Sequence, residues 1–220
     1  MPENGLLHVI EKLFDKDAKV RERAAETLGR YAEGEMVDER ALEPLIALLD
    51  DKNPRVRRTA AYALGRYAEQ GLTKKAALEK LITLMSDKRR NVRQNATFAL
   101  LMYSYQNLMD KRALKPLIEM LGESDYLASG EAAFTLAKYA ERGLLDEAAL
   151  KPLTKLLGSK DKLARANAAY AIGKYAEKGI VNPRAAKILV KLLEDKEYKV
   201  RENASIAISE YTKHGVTVDE

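Results

Sequence analysis

Residues 42–67 read LEPLIALLDDKNPRVRRTAAYALGRY, and the fold is legible in this stretch. Leu42, Leu45, Ile46 and Leu49 recur at helical spacing, and a second periodic run follows through Val56, Ala60, Ala63, Leu64 and Tyr67. Between the two runs, Asn53 is placed to cap the second helix, and Pro54 fits its first turn, where a missing N–H costs nothing. The stretch therefore predicts a helical hairpin.

Working outward, the hairpin recurs. Tyr31, Tyr67, Tyr103, Tyr139, Tyr175 and Tyr211 keep a step of 36 residues, as do Ala24, Ala60, Ala96, Ala132, Ala168 and Ala204. Six units follow, at 5–40, 41–76, 77–112, 113–148, 149–184 and 185–220. A period of this length predicts an all-α, right-handed superhelical solenoid in which each hairpin packs only on its neighbours. Asp17, Asp125 and Asp161 share the capping position of Asn53, and Asp38, Asp110, Asp146 and Asn182 precede the first helices. Gly71, Gly143, Gly179 and Gly215 fall where second helices end. Pro44, Pro116 and Pro152 fall inside first helices, which they are expected to bend or reset. The tyrosine row reads as core, with hydroxyls at its edge.

Composition narrows the function. Hydrophobic residues at 46% suffice for a continuous core, and no apolar run approaches the ~20 residues of a membrane span. The absence of cysteine rules out disulfides, thiolate nucleophiles and cysteine metal sites. His8 and His214 stand near opposite ends, so no metal site or cofactor is expected. The N-terminal residues lack the basic and apolar regions of a signal peptide, so the expectation is a cytoplasmic protein. The 32% of charged residues, with no Cys or Trp, suits a heat-tolerant source.

The string from Leu48 to Arg57, followed by Ala60, Ala61, Ala63, Leu64 and Gly65, resembles a HEAT repeat of the short, lyase-like subclass, and the resemblance covers essentially the whole chain. It includes an Asp and Arg ladder: Asp15 with Arg21, Asp51 with Arg57, Asp87 with Arg93 and Asp195 with Arg201. The resemblance implies that such pairs satisfy turn amides and tie one repeat to the next. The fourth unit has Glu123 but Ser129, and the fifth has Arg165 but Ser159, which predicts a less rigid stack there. Enzymes of similar architecture are not matched. The alkylpurine DNA glycosylases rely on tryptophans, deoxyhypusine hydroxylase on His-Glu pairs for iron, and bilin lyases on a partner subunit and a pigment. No nucleophile with its base stands outside the repeat pattern, so no catalysis is expected.

The resemblance also implies that second helices line a concave face. With Val56, Ala60, Leu64 and Tyr67 inward, the opposite stripe carries Arg55, Thr59, Tyr62 and Arg66. Along it stand Tyr62, Phe98, Phe134, Tyr170 and Ile206, where a solvated helix more often has Glu or Lys. Three residues earlier stand Thr59, Asn95, Glu131, Asn167 and Asn203. Armadillo-type solenoids are similar in using an asparagine array to clamp an extended peptide, and Thr59 and Glu131 interrupt the array here. The expected partner is thus a protein or extended peptide. Tyr62, Phe98, Met102, Phe134 and Tyr170 would supply apolar contact, Asn95, Asn167 and Asn203 backbone recognition, and Arg58 and Arg66 acidic selectivity. Met102, one turn from Phe98, is the expected hot spot; self-association through the same stripe, as a weak homodimer, would look alike. A second expectation rests on residues 52–93, with 12 Lys or Arg against 3 Asp or Glu. There Lys52, Arg55, Lys88, Arg89 and Arg90 would attract nucleic acid or an acidic partner.

Overall fold

The computed structural model describes residues 3–216. Met1, Pro2 and the end of the unit drawn at 185–220 lie outside them. Among the described residues stand twelve α-helices, and the chain divides into two compact units, 1–110 and 111–220. No described helix is long and apolar enough to cross a membrane.

The first unit holds α1 (Glu3–Glu11), α2 (Ala18–Glu33), α3 (Leu42–Ala47), α4 (Pro54–Glu69), α5 (Ala76–Leu84) and α6 (Arg90–Tyr105). The long helices α2, α4 and α6 pack side by side, and each short helix packs on the long one that follows it. The second unit repeats this with α7 (Leu114–Met120), α8 (Tyr126–Glu141), α9 (Leu150–Leu156), α10 (Lys162–Ala176), α11 (Pro183–Leu192) and α12 (Tyr198–Lys213).

Local chemistry sets the ends. The side chains of Asp17, Asn53, Asp125 and Asp161 accept first-turn N–H groups of α2, α4, α8 and α10, so these helices start with a donor satisfied. The prolines reset rather than bend. Before α3, α7 and α9 the chain runs as a 3-10 turn over Glu39–Ala41, Lys111–Ala113 and Glu147–Ala149, and the α-helix begins two residues before Pro44, Pro116 or Pro152. Each proline then sits in a first turn, where no intrahelical N–H is missed. Closing the long helices, Gly71, Gly143, Gly179 and Gly215 take φ between 73° and 80°, and Glu35 and Asn107 hold the same left-handed conformation at the equivalent turns.

Tyr67, Tyr103, Tyr139, Tyr175 and Tyr211 are fully buried, hydroxyls included. The edge position expected for those hydroxyls is therefore not found. The N–H of Asn182 donates to the Tyr211 hydroxyl at 3.1 Å. At Tyr67, Tyr103 and Tyr175, burial pushes the hydroxyl up to about 12, and the N–H groups of Asp38, Lys74 and Asp146 offset this only in part, from outside good hydrogen-bond geometry.

The ladder has a different connectivity from the one the sequence suggests. Arg21 pairs with Asp51 at 2.7 Å, Arg57 with Asp87 at 2.6 Å and Arg165 with Asp195 at 2.8 Å. Each arginine thus reaches the aspartate of the next repeat, while its guanidinium also donates to the carbonyl of its own repeat's turn, as Arg21 does to Asp15 at 2.7 Å. The aspartate caps the turn through its other oxygen, as when Asp51 accepts from the Asn53 N–H at 2.8 Å. Burial works against the Asp51 carboxylate, yet Arg21 and that N–H hold its pKa below the usual range. In this connectivity Ser129 and Ser159 are the two ends of one rung, so one rung is lost where two were expected to weaken.

Candidate functional site

The expected stripe lies on the long helices, and the structure assembles it separately in each unit. In the first, the rings of Tyr62 and Phe98 stack with centroids 6.0 Å apart. The Arg66 guanidinium lies 5.2 Å from one ring and 5.1 Å from the other. Arg66 pairs with Glu69 at 2.8 Å and Glu33 at 3.2 Å, and the Tyr62 hydroxyl donates to Glu33. Burial opposes the charge on Arg66, and its bonds to Glu69 and Tyr62 outweigh that, raising its pKa.

In the second unit Phe134 and Tyr170 stack at 5.7 Å, with the Lys138 ammonium 5.5 Å and 5.7 Å from their centroids. Lys174 lies 5.5 Å from the Tyr170 ring. Glu141 accepts from Lys138 and from the Tyr170 hydroxyl; burial works against this carboxylate, and those bonds hold its pKa below the usual range. Each unit thus carries the same motif of two rings, a cation over them and a carboxylate holding both.

The four rings are half-buried rather than a free stripe. A Cβ built on Gly65 would stand 2.5 Å from the Phe98 ring, and one on Gly29 2.9 Å from that of Tyr62. In the first unit the rings of Tyr62 and Phe98 therefore lie down on the preceding long helix where glycine leaves room. Ile206 alone of the five stays exposed, at 45%.

Two more expectations need correction. Thr59 and Asn203, placed on the exposed stripe, are buried at 3% and 6% exposure. The side-chain amide of Asn203 donates to the Ala166 carbonyl at 2.8 Å and that of Asn167 to the Gly130 carbonyl at 3.0 Å, so both tie one long helix to the previous one. Asn95 instead bonds within its own helix, to the Asn91 carbonyl at 2.9 Å. The difference was present in the sequence: Asn167 and Asn203 look onto small residues 37 positions back, Gly130 and Ala166, where Asn95 meets Arg58.

Asn95 also lines a cleft of about 430 Å³ in the first unit, with Glu26, Arg30, Arg58, Thr59 and Tyr62. Arg58 pairs with Glu22 at 3.6 Å, and its Nε is buried with no hydrogen-bond partner. Met102, half-buried, takes the position that Arg66 and Lys138 occupy in neighbouring repeats. Glu131, read from the sequence only as a break in the array, stands half-buried within it. Burial first, and Asp125 second, push its carboxyl up to about 7.

Of the basic residues, Arg55 and Arg89 line a cleft of about 320 Å³ with Lys19, Asn53 and Asn91. Lys52, Lys88 and Arg90 are exposed but do not line it. Among the described residues no cluster of three His, Cys, Asp or Glu side chains converges on a metal position.

The family profile described as HEAT repeats matches residues 4–101 and 114–209. The chain is a HEAT-repeat protein. Solved structures carry the same fold. An engineered protein superposes with a TM-score of 0.80 at 23% identity, over 96% of this chain and 98% of that one. A designed armadillo repeat protein superposes at 0.79 and 27% identity, over 93% and 99%. Computationally designed armadillo repeat proteins for modular peptide recognition superpose at 0.78 and 26% identity, over 93% and 99%. A search of the curated proteins finds no match.

Proposed function

We propose that this HEAT-repeat chain is a non-enzymatic scaffold that holds an extended protein segment along its long helices. The observation that carries the reading is the ring, cation and carboxylate motif built once in each unit. Half-buried aromatic rings fixed by stacking and by an overlying cation offer apolar area without losing side-chain freedom on binding, which suits anchor residues. In the first unit the anchors are Tyr62, Phe98 and Met102, beside the cleft where Arg58 and Asn95 supply polar contacts and next to Arg66. In the second they are Phe134 and Tyr170. Asn167 and Asn203 act there by holding the helices in place, since their amide donors are already engaged. The likeness to designed armadillo proteins for peptide recognition supports the same reading.

The test is a peptide selected by display against the folded chain and titrated against the Phe98→Ala, Phe134→Ala double variant. The expected loss is about tenfold or more. Unchanged binding with an unchanged thermal melt refutes the reading.

The cleft of Lys19, Arg55 and Arg89 favours a second reading, binding of nucleic acid through the first unit. A shift of an RNA or DNA ladder at low salt, lost as salt rises and lost in Arg55→Glu with Arg89→Glu, is what that reading requires.

A further inference from the structure

A second basic tract was not singled out by the sequence reading. Residues 151–191 hold ten Lys or Arg against two acids, Asp161 and Glu177. Its physical setting differs from that of the first unit. There, lysines in and just before α5 are neutralised by α3 and the turn that follows it: Lys74 pairs with Glu43 at 2.9 Å and Lys80 with Asp50 at 2.6 Å. The position of Glu43 is Glu79 in the next repeat and then Lys115, Lys151 and Lys187. Among the described residues no carboxylate lies within ion-pair distance of Lys151, Lys155, Lys160, Arg184 or Lys187, all of which are exposed.

Four of these cations, all but Lys187, rim two grooves on either side of α9. One, of about 440 Å³, has Leu121, Tyr126, Pro152 and Leu156 in its lining with Lys155 and Lys160 beside them, two cations against one carboxylate, Glu123. The other, of about 420 Å³, is lined by Lys151, Thr154, Lys155, Asn182, Arg184 and Ile188. Lys155 stands in both, so the grooves share a wall. Tyr126 is 45% exposed there, and at the equivalent helix starts Leu163 and Tyr198 are 55% and 68% exposed, where the first unit has Ala18, Lys19, Pro54 and Arg55. Apolar lining between unpaired cations matches a ligand of complementary make-up, negative with an apolar side chain.

We propose that this face of the second unit docks an acidic segment of a partner protein, which seats one bulky apolar side chain against Tyr126, Pro152 and Leu156 and sets its carboxylates on Lys155, Lys160, Lys151 and Arg184. The surface is carried by the short helices and the starts of the long ones, so it is independent of the ring motif and leaves that motif free for a second ligand.

The probe is a fluorescein-labelled peptide of Glu and Asp with one central Phe, compared with its Ser counterpart and followed by anisotropy. The Phe peptide is expected to bind more tightly than the Ser peptide. Lys155→Glu with Lys160→Glu is expected to weaken it about tenfold or more, and Tyr126→Ser to remove the advantage of Phe over Ser. Phe98→Ala with Phe134→Ala leaves it unchanged, which separates this surface from the ring motif. Equal binding of the Phe and Ser peptides, or indifference to Lys155→Glu with Lys160→Glu, overturns the proposal. So does a concentration-dependent dimer that the same lysine substitutions disperse, which would assign the face to a second copy of the chain. All five substituted side chains are partly or largely exposed, and an unchanged thermal melt confirms that the variants fold.

Discussion

The seams of the first unit are held at the two ends of the long helices, whereas in the second the seam between α8 and α10 is closed at the middle. That between α10 and α12 keeps its ion pair, Arg165–Asp195, together with the Asn203 bond at the middle. In the first unit the ion pairs Arg21–Asp51 and Arg57–Asp87 fasten the helix starts. At the other end Gln70 and Gln106 donate to the Ala32 and Ala68 carbonyls of the helix before, at 3.1 Å and 3.0 Å. Large side chains such as Arg58 then fit between, and a cleft opens beside them. In the second unit Arg142 and Lys178 replace those glutamines, and the seam between α8 and α10 lacks its ion pair. There Gly130 brings the helices together, since a Cβ on it would stand 3.3 Å from the Ala164 Cα, and Asn167 closes the middle. The rung is thus one of two ways to fasten a seam, and the choice decides where room is left for a ligand.

The largest effect is expected from removing an aspartate from a rung, set against its serine counterpart at the seam without one. Asp51→Ala strips a largely buried guanidinium of its partner and a turn of its cap, and about 3 kcal/mol of stability should be lost around α2 and α4. Ser159 has kept only the capping half of that role, accepting from the Asp161 N–H at 3.1 Å, so Ser159→Ala should cost about 1 kcal/mol. Hydrogen exchange resolved by helix reads both, because a solenoid need not unfold in one step. Equal losses would mean that the ionic half of the rung contributes nothing.

What the sequence withheld here was connectivity. Arg57 stands six residues after Asp51 and thirty before Asp87, and a strict period makes either pairing consistent with the same string. Only the packing of one turn against the next selects the longer link. The period itself, the caps and the tyrosine core follow from local rules, and these were legible. The ring motif was legible as a row of residue types but not as a half-buried stack, because in the first unit its burial depends on Gly29 and Gly65, whose meaning appears only when a ring from the next repeat arrives. The second basic tract was as plain in the sequence as the first, but that five of its cations lack the partners of Lys74 and Lys80 required the positions of Glu43 and Asp50 across the first-unit seams.

A smaller effect sharpens the contrast at the middle of the seams. Glu131 occupies the position of Thr59 and Asn95 but has its carboxyl raised by burial to about 7. A carboxyl raised in the folded state contributes stability that is complete below the unfolded value of 4.5 and is lost as pH rises through 7. Glu131→Gln should therefore leave stability near pH 4 unchanged and gain roughly 2 kcal/mol at pH 8, a difference confined to the second unit. Urea unfolding at the two pH values, read through exchange in α8 and α10, checks it. A gain that is the same at both would show that the carboxyl is charged throughout.

The smallest predicted effect concerns the turns that close the long helices. In the second unit these turns use Gly143, Gly179 and Gly215, and in the first only Gly71 does so, while Glu35 and Asn107 adopt φ of 62° and 59°. A left-handed conformation costs a side chain such as Glu about 1 kcal/mol or more, from the approach of Cβ to the following carbonyl, and Asn less because its side chain bonds locally. Glycine avoids that cost but loses more freedom on folding, which returns part of the gain. Glu35→Gly should accordingly stabilise the first unit by about 0.5 kcal/mol, Asn107→Gly by less, and Gly143→Ala should destabilise the second by about 1 kcal/mol. If Glu35→Gly instead destabilises, the turn after α2 is held by its side chain rather than by its backbone, and the first unit closes its helices by a rule that the second does not use.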